Sequence, residues 1–238
     1  MNSIAWPTHI HYKPFECSAE LEDELADQIA ATLGEACAHR IRPSLIVSGG
    51  RTPAPLFKKL SHKDIPWQKI AITLADERWV DPSDSASNEK LVRSTLLQNK
   101  AAGAQFIGLK TDHSTPAAGL QDIETRLADI PQPFDIVLLG MGDDGHTASL
   151  FPDAPELNAA LQSENMCQPM HPASAEQARI SLTSSALLNS REIIVYIAGP
   201  QKLEVMSAAL SGNDVLHMPV RFLFQQQRVP VTFYWSPG

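Results

Sequence analysis

Two aspartates and a histidine follow an apolar run in segment 134–152, which reads FDIVLLGMGDDGHTASLFP. The apolar residues predict a buried strand, and Asp143, Asp144 and His146 stand in the loop after it. Histidine changes charge near neutral pH, and catalytic groups collect in loops at strand ends. These residue types would suit general base catalysis by His146. A glycine-rich turn with a capping aspartate is the structural alternative, and the segment by itself leaves both interpretations open.

The glycines of this segment match the GxGxxG pattern of dinucleotide-binding loops through Gly140, Gly142 and Gly145. Such a loop needs a helix after the third glycine, so that the helix N-terminus faces the pyrophosphate. Pro152 and Pro155 follow too soon for the usual crossover helix. Two carboxylates beside a diphosphate would also repel it. The residues around the GxGxxG pattern therefore argue against a bound dinucleotide, and no cofactor is expected.

A second loop, SGGRTP, lies between a predicted strand and a predicted helix and has the groups that bind an anion. Glycines let backbone amides approach a ligand, hydroxyl and guanidinium groups add donors, and the helix N-terminus adds its dipole. The GK[ST] sequence of a P-loop is absent, which favours a phosphate monoester over a nucleoside triphosphate. An ordinary βα turn is the alternative, with Thr52 as the helix cap and Pro53 as the first helical residue. The candidate phosphate-binding residues are Ser48, Gly49, Gly50, Arg51 and Thr52.

The third polar loop, DERWVDPSDSASN, follows another apolar run and contributes Asp76 and Arg78. Arg78 is a candidate donor to an anion or oxyanion, oriented by a neighbouring carboxylate, whereas a solvated charge cluster is the alternative. Either Ser87 or Asn88 would cap the helix that follows. Asp76 could bind a divalent metal together with the two loop aspartates and the histidine of segment 134–152. No HExxH or comparable ligand spacing supports such a site, so no metal is expected. No GxSxG elbow or evidently reactive cysteine occurs, so a hydrolase of this sequence would use water as its nucleophile.

Strands and helices alternate along almost the whole chain, and the strands are continuous apolar runs such as SLIV, AITL and FDIVLL. Such strands are buried on both faces, which predicts a mostly parallel sheet flanked by helices. We therefore expect an α/β fold, Rossmann-like in the broad sense, with residues 1–238 in a single domain. The irregular stretch 151–177 is an expected excursion from the sheet, and Ser18 is the expected cap of the first helix. Because parallel strands end at one edge, the three polar loops should meet there.

The composition narrows the class of partner. The net charge of -8 and the pI near 5.4 argue against nucleic acid or an anionic membrane. No segment approaches the roughly 20 apolar residues that span a bilayer, and the N-terminal segment does not resemble a secretion signal. The scattered cysteines, Cys17, Cys37 and Cys167, are expected to be free thiols in a reducing compartment. We expect a cytoplasmic monomer that acts on a small molecule.

Taken together, the loops resemble the 6-phosphogluconolactonase family. The matching segments are SGGRTP, DERWVDPSDSASN and LGMGDDGHTASLFP, with weaker matches at ARISLT and AGPQK, over residues 46–209. Related aminosugar-phosphate isomerase/deaminases share the DGH core, but their loop continues toward Phe-Asn-Glu-Pro where this one reads TASLFP. The chain departs from the common family pattern at Arg51, Asp81 and Asp153, where serine, proline and glycine are usual. Of these, Arg51 bears on phosphate contacts.

The resemblance implies hydrolysis of 6-phosphogluconolactone to 6-phosphogluconate in the pentose phosphate pathway, without cofactor or metal. In that reading His146 activates water, Asp144 orients the histidine, and Arg78 with backbone amides stabilises the oxyanion. The 48–52 loop holds the phosphate, and the further substrate-binding residues are Asp76, Gly142, Arg179 and Lys202. An aminosugar-phosphate isomerase/deaminase and a non-catalytic sugar-phosphate sensor remain the alternative functions.

Overall fold

The computed structural model describes residues 6–238, which contain ten β-strands and eight α-helices. The strands are β1 Ile10–Pro14, β2 Ser44–Val47, β3 Ala71–Leu74, β4 Asp76–Arg78, β5 Gln105–Ile107, β6 Phe134–Leu139, β7 Cys167–Met170, β8 Arg179–Leu182, β9 Ser190–Ala198 and β10 Val231–Ser236. The helices are α1 Ser18–His39, α2 Ala54–Ser61, α3 Asn88–Thr95, α4 Pro116–Leu127, α5 Leu157–Gln162, α6 Ser184–Leu188, α7 Pro200–Leu210 and α8 Arg221–Gln225.

Seven of the strands form one sheet in the order β1-β10-β9-β6-β2-β3-β5, and every neighbouring pair is parallel. Every residue of β2, β3 and β6 is buried, as their continuous apolar sequences require when helices cover both faces. The predicted α/β fold with a mostly parallel sheet flanked by helices is confirmed.

A second, antiparallel sheet of order β4-β8-β7 was not predicted. The DERWV segment does not simply end a strand of the main sheet, because only Ala75 separates β3 from β4, which pairs with β8 instead. The predicted excursion 151–177 contains α5 and the whole of β7, and it leads the chain into this second sheet. Ile180 and Leu182 of β8 belong to the same hydrophobic core cluster as the main sheet, so the fold is a single domain. Residues 1–5 of the predicted 1–238 domain lie outside the described residues.

Two predicted helix caps are displaced by one residue. Cys17 has extended dihedral angles and occupies the N-cap of α1, so Ser18 is the first helical residue, and its Oγ is hydrogen-bonded to Ser236 Oγ at 2.8 Å. Pro53, not Thr52, occupies the N-cap of α2. Local sequence signals fix helix ends only to within a residue or two. Ser87 does cap α3, where its side chain accepts a hydrogen bond from the Lys90 amide at 3.2 Å.

None of the helices in the described part of the chain is long and apolar enough to cross a membrane. Cys17, Cys37 and Cys167 are free thiols, the first exposed and the other two buried.

Candidate active site

The three polar loops meet at the carboxyl edge of the main sheet, around a cavity of about 230 Å³. Strands β2 and β6 bring two of the loops to this edge, and β4 and β8 of the second sheet form another wall. All of the predicted site residues except Arg51 and Asp144 line the cavity. These lining residues are Ser48, Gly49, Gly50, Thr52, Asp76, Arg78, Gly142, His146, Arg179 and Lys202.

His146 is held by Asp144 through two hydrogen bonds. Its Nδ1 lies 2.6 Å from Asp144 Oδ1, and its backbone N–H donates to the same oxygen at 3.0 Å. Because a carboxylate can only accept, the neutral imidazole carries its proton on Nδ1 and leaves Nε2 free to act as a base. Burial raises the pKa of Asp144, but its hydrogen bonds and charge attraction with His146 outweigh that effect and lower the pKa below its ordinary value. The carboxylate therefore stays ionised at neutral pH.

The turn that carries His146 is built on glycines. Gly142 N–H donates to His146 O at 2.8 Å, and Gly145 has a positive φ of 77° that disfavours other residues. A Cβ on Gly142 would lie 2.1 Å from His146 Nδ1 and 2.6 Å from Asp144 Oδ1. The Phe151 ring stacks against the imidazole with the ring centroids 3.9 Å apart, so the histidine is also confined from that side.

Gly142→Ala is expected to lower turnover at this site at least tenfold, since the methyl group displaces the imidazole from Asp144. The rate would be measured on the lactone substrate proposed below, alongside the melting temperature. Gly103→Ala is the matched control, because a Cβ there meets nothing within 4 Å and Gly103 is not among the cavity-lining residues. Equal rates in the two variants would show that the imidazole position does not depend on the space at Gly142.

Arg78 and Arg179 are neighbours across the second sheet, where the register pairs them directly. Each buries its Nε without a hydrogen-bond partner among the described residues, and Ser48 Oγ is likewise buried and unpartnered. An unsatisfied buried polar group costs about 1–3 kcal/mol. Burial lowers the pKa of Arg179, with Asp76 opposing that change, but an arginine remains protonated at neutral pH. Each guanidinium group therefore keeps one buried donor without a partner beside the cavity, which suits an anionic ligand.

Asp76 is buried and is the acidic partner of Arg179. Its Oδ2 lies 3.9 Å from Arg179 Nη1 and accepts a hydrogen bond from Ser149 Oγ at 2.5 Å. Asn88 Nδ2 donates to the Asp76 backbone carbonyl at 2.9 Å. A Cβ on Gly49 would lie only 1.9 Å from Asn88 Oδ1, so the SGGRTP loop packs directly on this side chain. Asn88 thus joins two of the polar loops, a role that its position near a helix cap does not reveal.

Glu77 anchors the loop that follows β4. Its fully buried carboxylate accepts hydrogen bonds from the backbone N–H groups of Arg78, Asn88 and Glu89 at 2.7, 2.8 and 2.7 Å. Ser87 Oγ donates to it as well, at 3.1 Å. Burial raises the pKa of Glu77, and the backbone donors only partly offset that rise. Hydrogen bonds to the buried Glu77 carboxylate therefore hold both ends of the loop 79–87. The Arg78 guanidinium donates to the carbonyl of Ala86 in that loop.

Lys202, in the first turn of α7, lines the cavity. Its Nζ donates to Asp143 Oδ1 at 2.5 Å. The two adjacent aspartates therefore have different partners, since Asp144 contacts His146 and Asp143 contacts Lys202.

No helix follows the GxGxxG pattern directly, because the first helix after Gly145 is α5, which begins at Leu157. Nor does the described part of the chain contain a group of three or more His, Cys, Asp or Glu side chains arranged to hold a metal ion.

A family model described as glucosamine-6-phosphate isomerases/6-phosphogluconolactonase matches residues 16–235. The chain belongs to this family. The match extends beyond residues 46–209, to which the sequence motifs point, and includes α1 and all but the last residue of β10.

Several proteins that match over almost their whole length are named 6-phosphogluconolactonase. A 6-phosphogluconolactonase from Pseudomonas aeruginosa is 38% identical, with 100% of this chain and 99% of the relative covered. Another from Rhizobium meliloti is 37% identical, with 94% of this chain and 97% of the relative covered. A crystal structure of a 6-phosphogluconolactonase from Shewanella baltica has a TM-score of 0.95 and 46% identity, covering 98% of this chain and 100% of its own. A monomeric glucosamine-6-phosphate deaminase, at 17% identity and a TM-score of 0.78, shares the fold.

Two predicted site residues, Asp144 and Arg51, lie outside the cavity lining and differ in their contacts. Asp144 contacts His146 Nδ1 from outside the cavity lining, and its role as the carboxylate that orients the histidine stays a prediction. Arg51 is exposed, on the loop where Gly50 turns the backbone with a φ of 98°. A role for Arg51 in binding phosphate stays a prediction for this family member.

Proposed function

We propose that this member of the family hydrolyses 6-phospho-D-glucono-1,5-lactone to 6-phospho-D-gluconate, a reaction of the oxidative pentose phosphate pathway. The observation that carries the proposal is His146, fixed by Asp144 beside a cavity that Arg78, Arg179 and Lys202 also line. The names of its full-length relatives support the same enzyme activity.

In the proposed mechanism, Nε2 of neutral His146 takes a proton from water as the water oxygen adds to the lactone carbonyl. The tetrahedral oxyanion is stabilised by Arg78 and by backbone amides of the strand-end loops. When the intermediate collapses, the bond between the carbonyl carbon and the ring oxygen breaks, and protonated His146 donates its proton to that oxygen. Asp144 contributes by fixing the tautomer and stabilising the imidazolium. The nucleophile is water, and no covalent enzyme intermediate forms.

The phosphate group is proposed to bind beside the SGGRTP loop. Ser48, Gly49, Gly50 and Thr52 supply hydroxyl and amide donors before the N-terminus of α2, whose dipole favours an anion. Lys202 adds a charge, and Arg179 adds a guanidinium with an unused Nε. Asp76 and Gly142 complete the proposed substrate-binding set. We further propose that the protein acts as a cytoplasmic monomer without a cofactor.

A pH-stat assay on freshly generated lactone tests the proposal, because each hydrolysis releases one proton. Acid release well above the spontaneous rate is expected. Glucosamine 6-phosphate is the second substrate to assay, and release of ammonia would identify an isomerase/deaminase instead. Ligand binding without turnover of either substrate would identify a sugar-phosphate sensor.

Exhaustive chelation is expected to leave the hydrolytic rate unchanged, since His146 is proposed to activate water without a metal. The measurement compares initial rates before and after dialysis against a chelator. Loss of activity that one particular metal restores would contradict the proposed mechanism.

Ligand-induced thermal shifts complement this assay. The product 6-phosphogluconate should raise the melting temperature, with a stabilisation of about 2.7 kcal/mol at a hundredfold excess over Kd. NAD and NADP should not raise the melting temperature, because no helix begins directly after the third glycine. A shift with a dinucleotide would reopen the cofactor interpretation of the 140–145 loop.

A further inference from the structure

We propose that Asp143 is a displaceable counter-ion of Lys202, one that holds the ammonium group in the free protein and competes with a ligand phosphate for it. The proposal deepens the proposed function and rests on it, in that the ligand is taken to be a phosphate monoester. It makes Asp143 a determinant of affinity for phosphorylated ligands, and Asp143 lies outside the set of residues that line the cavity.

The geometry of the pair places its two members differently toward the cavity. Lys202 Nζ and Asp143 Oδ1 are 2.5 Å apart, and the exposed fraction of the side chain is 24% for the lysine and 61% for the aspartate. Lys202 lines the cavity, whereas Asp143 does not. Among the described residues Asp143 makes no other side-chain hydrogen bond, so the contact with Lys202 is what holds its carboxylate.

The other cations of the cavity have partners that are fixed in place, one a buried carboxylate and the other a backbone carbonyl. Asp76, beside Arg179, is buried and accepts a hydrogen bond from Ser149, while Arg78 donates to the backbone carbonyl of Ala86. Asp143 is the more exposed member of the pair and can move into solvent at little cost, because exposed ion pairs are weak. A phosphate dianion carries more charge than one carboxylate and accepts several charge-assisted hydrogen bonds. A ligand phosphate should therefore replace the Asp143 carboxylate at Lys202. Because the ion pair between Asp143 and Lys202 must break first, Asp143 lowers the affinity of the protein for the phosphate by the strength of that pair.

Calorimetric titration with 6-phosphogluconate and with inorganic phosphate tests the proposal without requiring turnover. Asp143→Asn is expected to tighten the binding of both ligands by roughly two- to fivefold, which corresponds to the strength of an exposed ion pair. Lys202→Met should weaken binding, and Asp143→Asn added to Lys202→Met should produce no tightening. Asp64→Asn is the matched control, because it removes the same charge from another exposed pair, Asp64 with Lys100 at 3.1 Å.

Unchanged or weaker binding by Asp143→Asn would overturn the proposal and show that the carboxylate positions the lysine instead. Tightening of equal size in the Lys202→Met background, or in Asp64→Asn, would also overturn it, because the effect would then be one of overall charge. Turnover of the lactone by the unaltered protein is measured separately. Failure of the proposed function appears there, whereas failure of this proposal appears in the titrations.

Discussion

His146→Ala is expected to lower kcat for lactone hydrolysis by at least two orders of magnitude, while the fold and the affinity for 6-phosphogluconate persist. The reason is the loss of the proposed base, since general acid–base catalysis typically contributes about 10²–10⁴-fold. The side chain is partly exposed, so its truncation opens little of the hydrophobic core. The measurements are kcat by pH-stat, product affinity by calorimetry and the melting temperature.

The chain offers a close control in His171. Its Nδ1 lies 2.7 Å from Glu156 Oε1 and its backbone N–H donates to the same carboxylate at 3.1 Å, the arrangement that His146 has with Asp144. His171 is not among the residues that line the cavity. His171→Ala should therefore leave kcat unchanged. Near-normal turnover by a folded His146→Ala variant would remove this histidine from the mechanism.

This comparison also shows why a paired histidine and carboxylate do not by themselves identify a catalytic site. In both pairs a carboxylate contacts the imidazole Nδ1 and the backbone N–H of the histidine, but of the two histidines only His146 shares a cavity with Arg78, Arg179 and Lys202. Catalytic potential comes from surroundings that bind an anion and stabilise developing charge. Those surroundings are assembled from loops far apart in the sequence.

The main sheet could be predicted because its information is local. Runs such as SLIV and FDIVLL are apolar at every position, and parallel connections bring their carboxyl ends to one edge. The second sheet lacks such signals. Its β4 has the charged sequence DER, its β7 reads CQPM with an internal proline, and the pairing of β4 with β8 joins segments about a hundred residues apart.

The same distinction explains which features of the site the sequence missed. Residue types and strand ends point to His146 and the SGGRTP loop, but the contacts of Ser149 with Asp76 and of Asn88 with Gly49 depend on tertiary packing. Arg179 is identifiable in the sequence only through the family resemblance. In the structure it stands opposite Arg78 because β4 and β8 pair in that register.

The pairing of the two arginines allows their roles to be separated by substitution. Arg78→Met is expected to lower kcat/KM roughly 10- to 150-fold, the equivalent of one charge-assisted hydrogen bond at about 1.5–3 kcal/mol. Because Arg78 is proposed to stabilise the oxyanion, the loss should be in kcat and should be equal for phosphorylated and unphosphorylated gluconolactone. Arg179→Met should instead raise KM for the phosphorylated lactone alone.

Steady-state kinetics on both lactones measure the two effects, and Arg179→Lys tests whether charge without the guanidinium plane suffices. Arg93→Met is the control, since Arg93 also pairs with a carboxylate, Glu89 at 2.8 Å, and lies over a phenylalanine ring. Arg93 is not among the cavity-lining residues, so this variant should retain full activity. Melting temperatures separate these effects from the cost of leaving Asp76 buried beside a missing cation.

The informative contrary result is an exchange of the two patterns. The Arg179 guanidinium lies 5.3 Å from the centroid of the Phe151 ring, and the same ring stacks on His146. If Arg179→Met lowers kcat on both lactones while Arg78→Met raises KM only for the phosphorylated one, Arg179 stabilises the oxyanion and Arg78 binds the phosphate. Equal losses from both variants on both lactones would contradict either assignment. They would show that the arginines act as one charged unit, in which removal of either leaves the other unable to hold the substrate in register with His146.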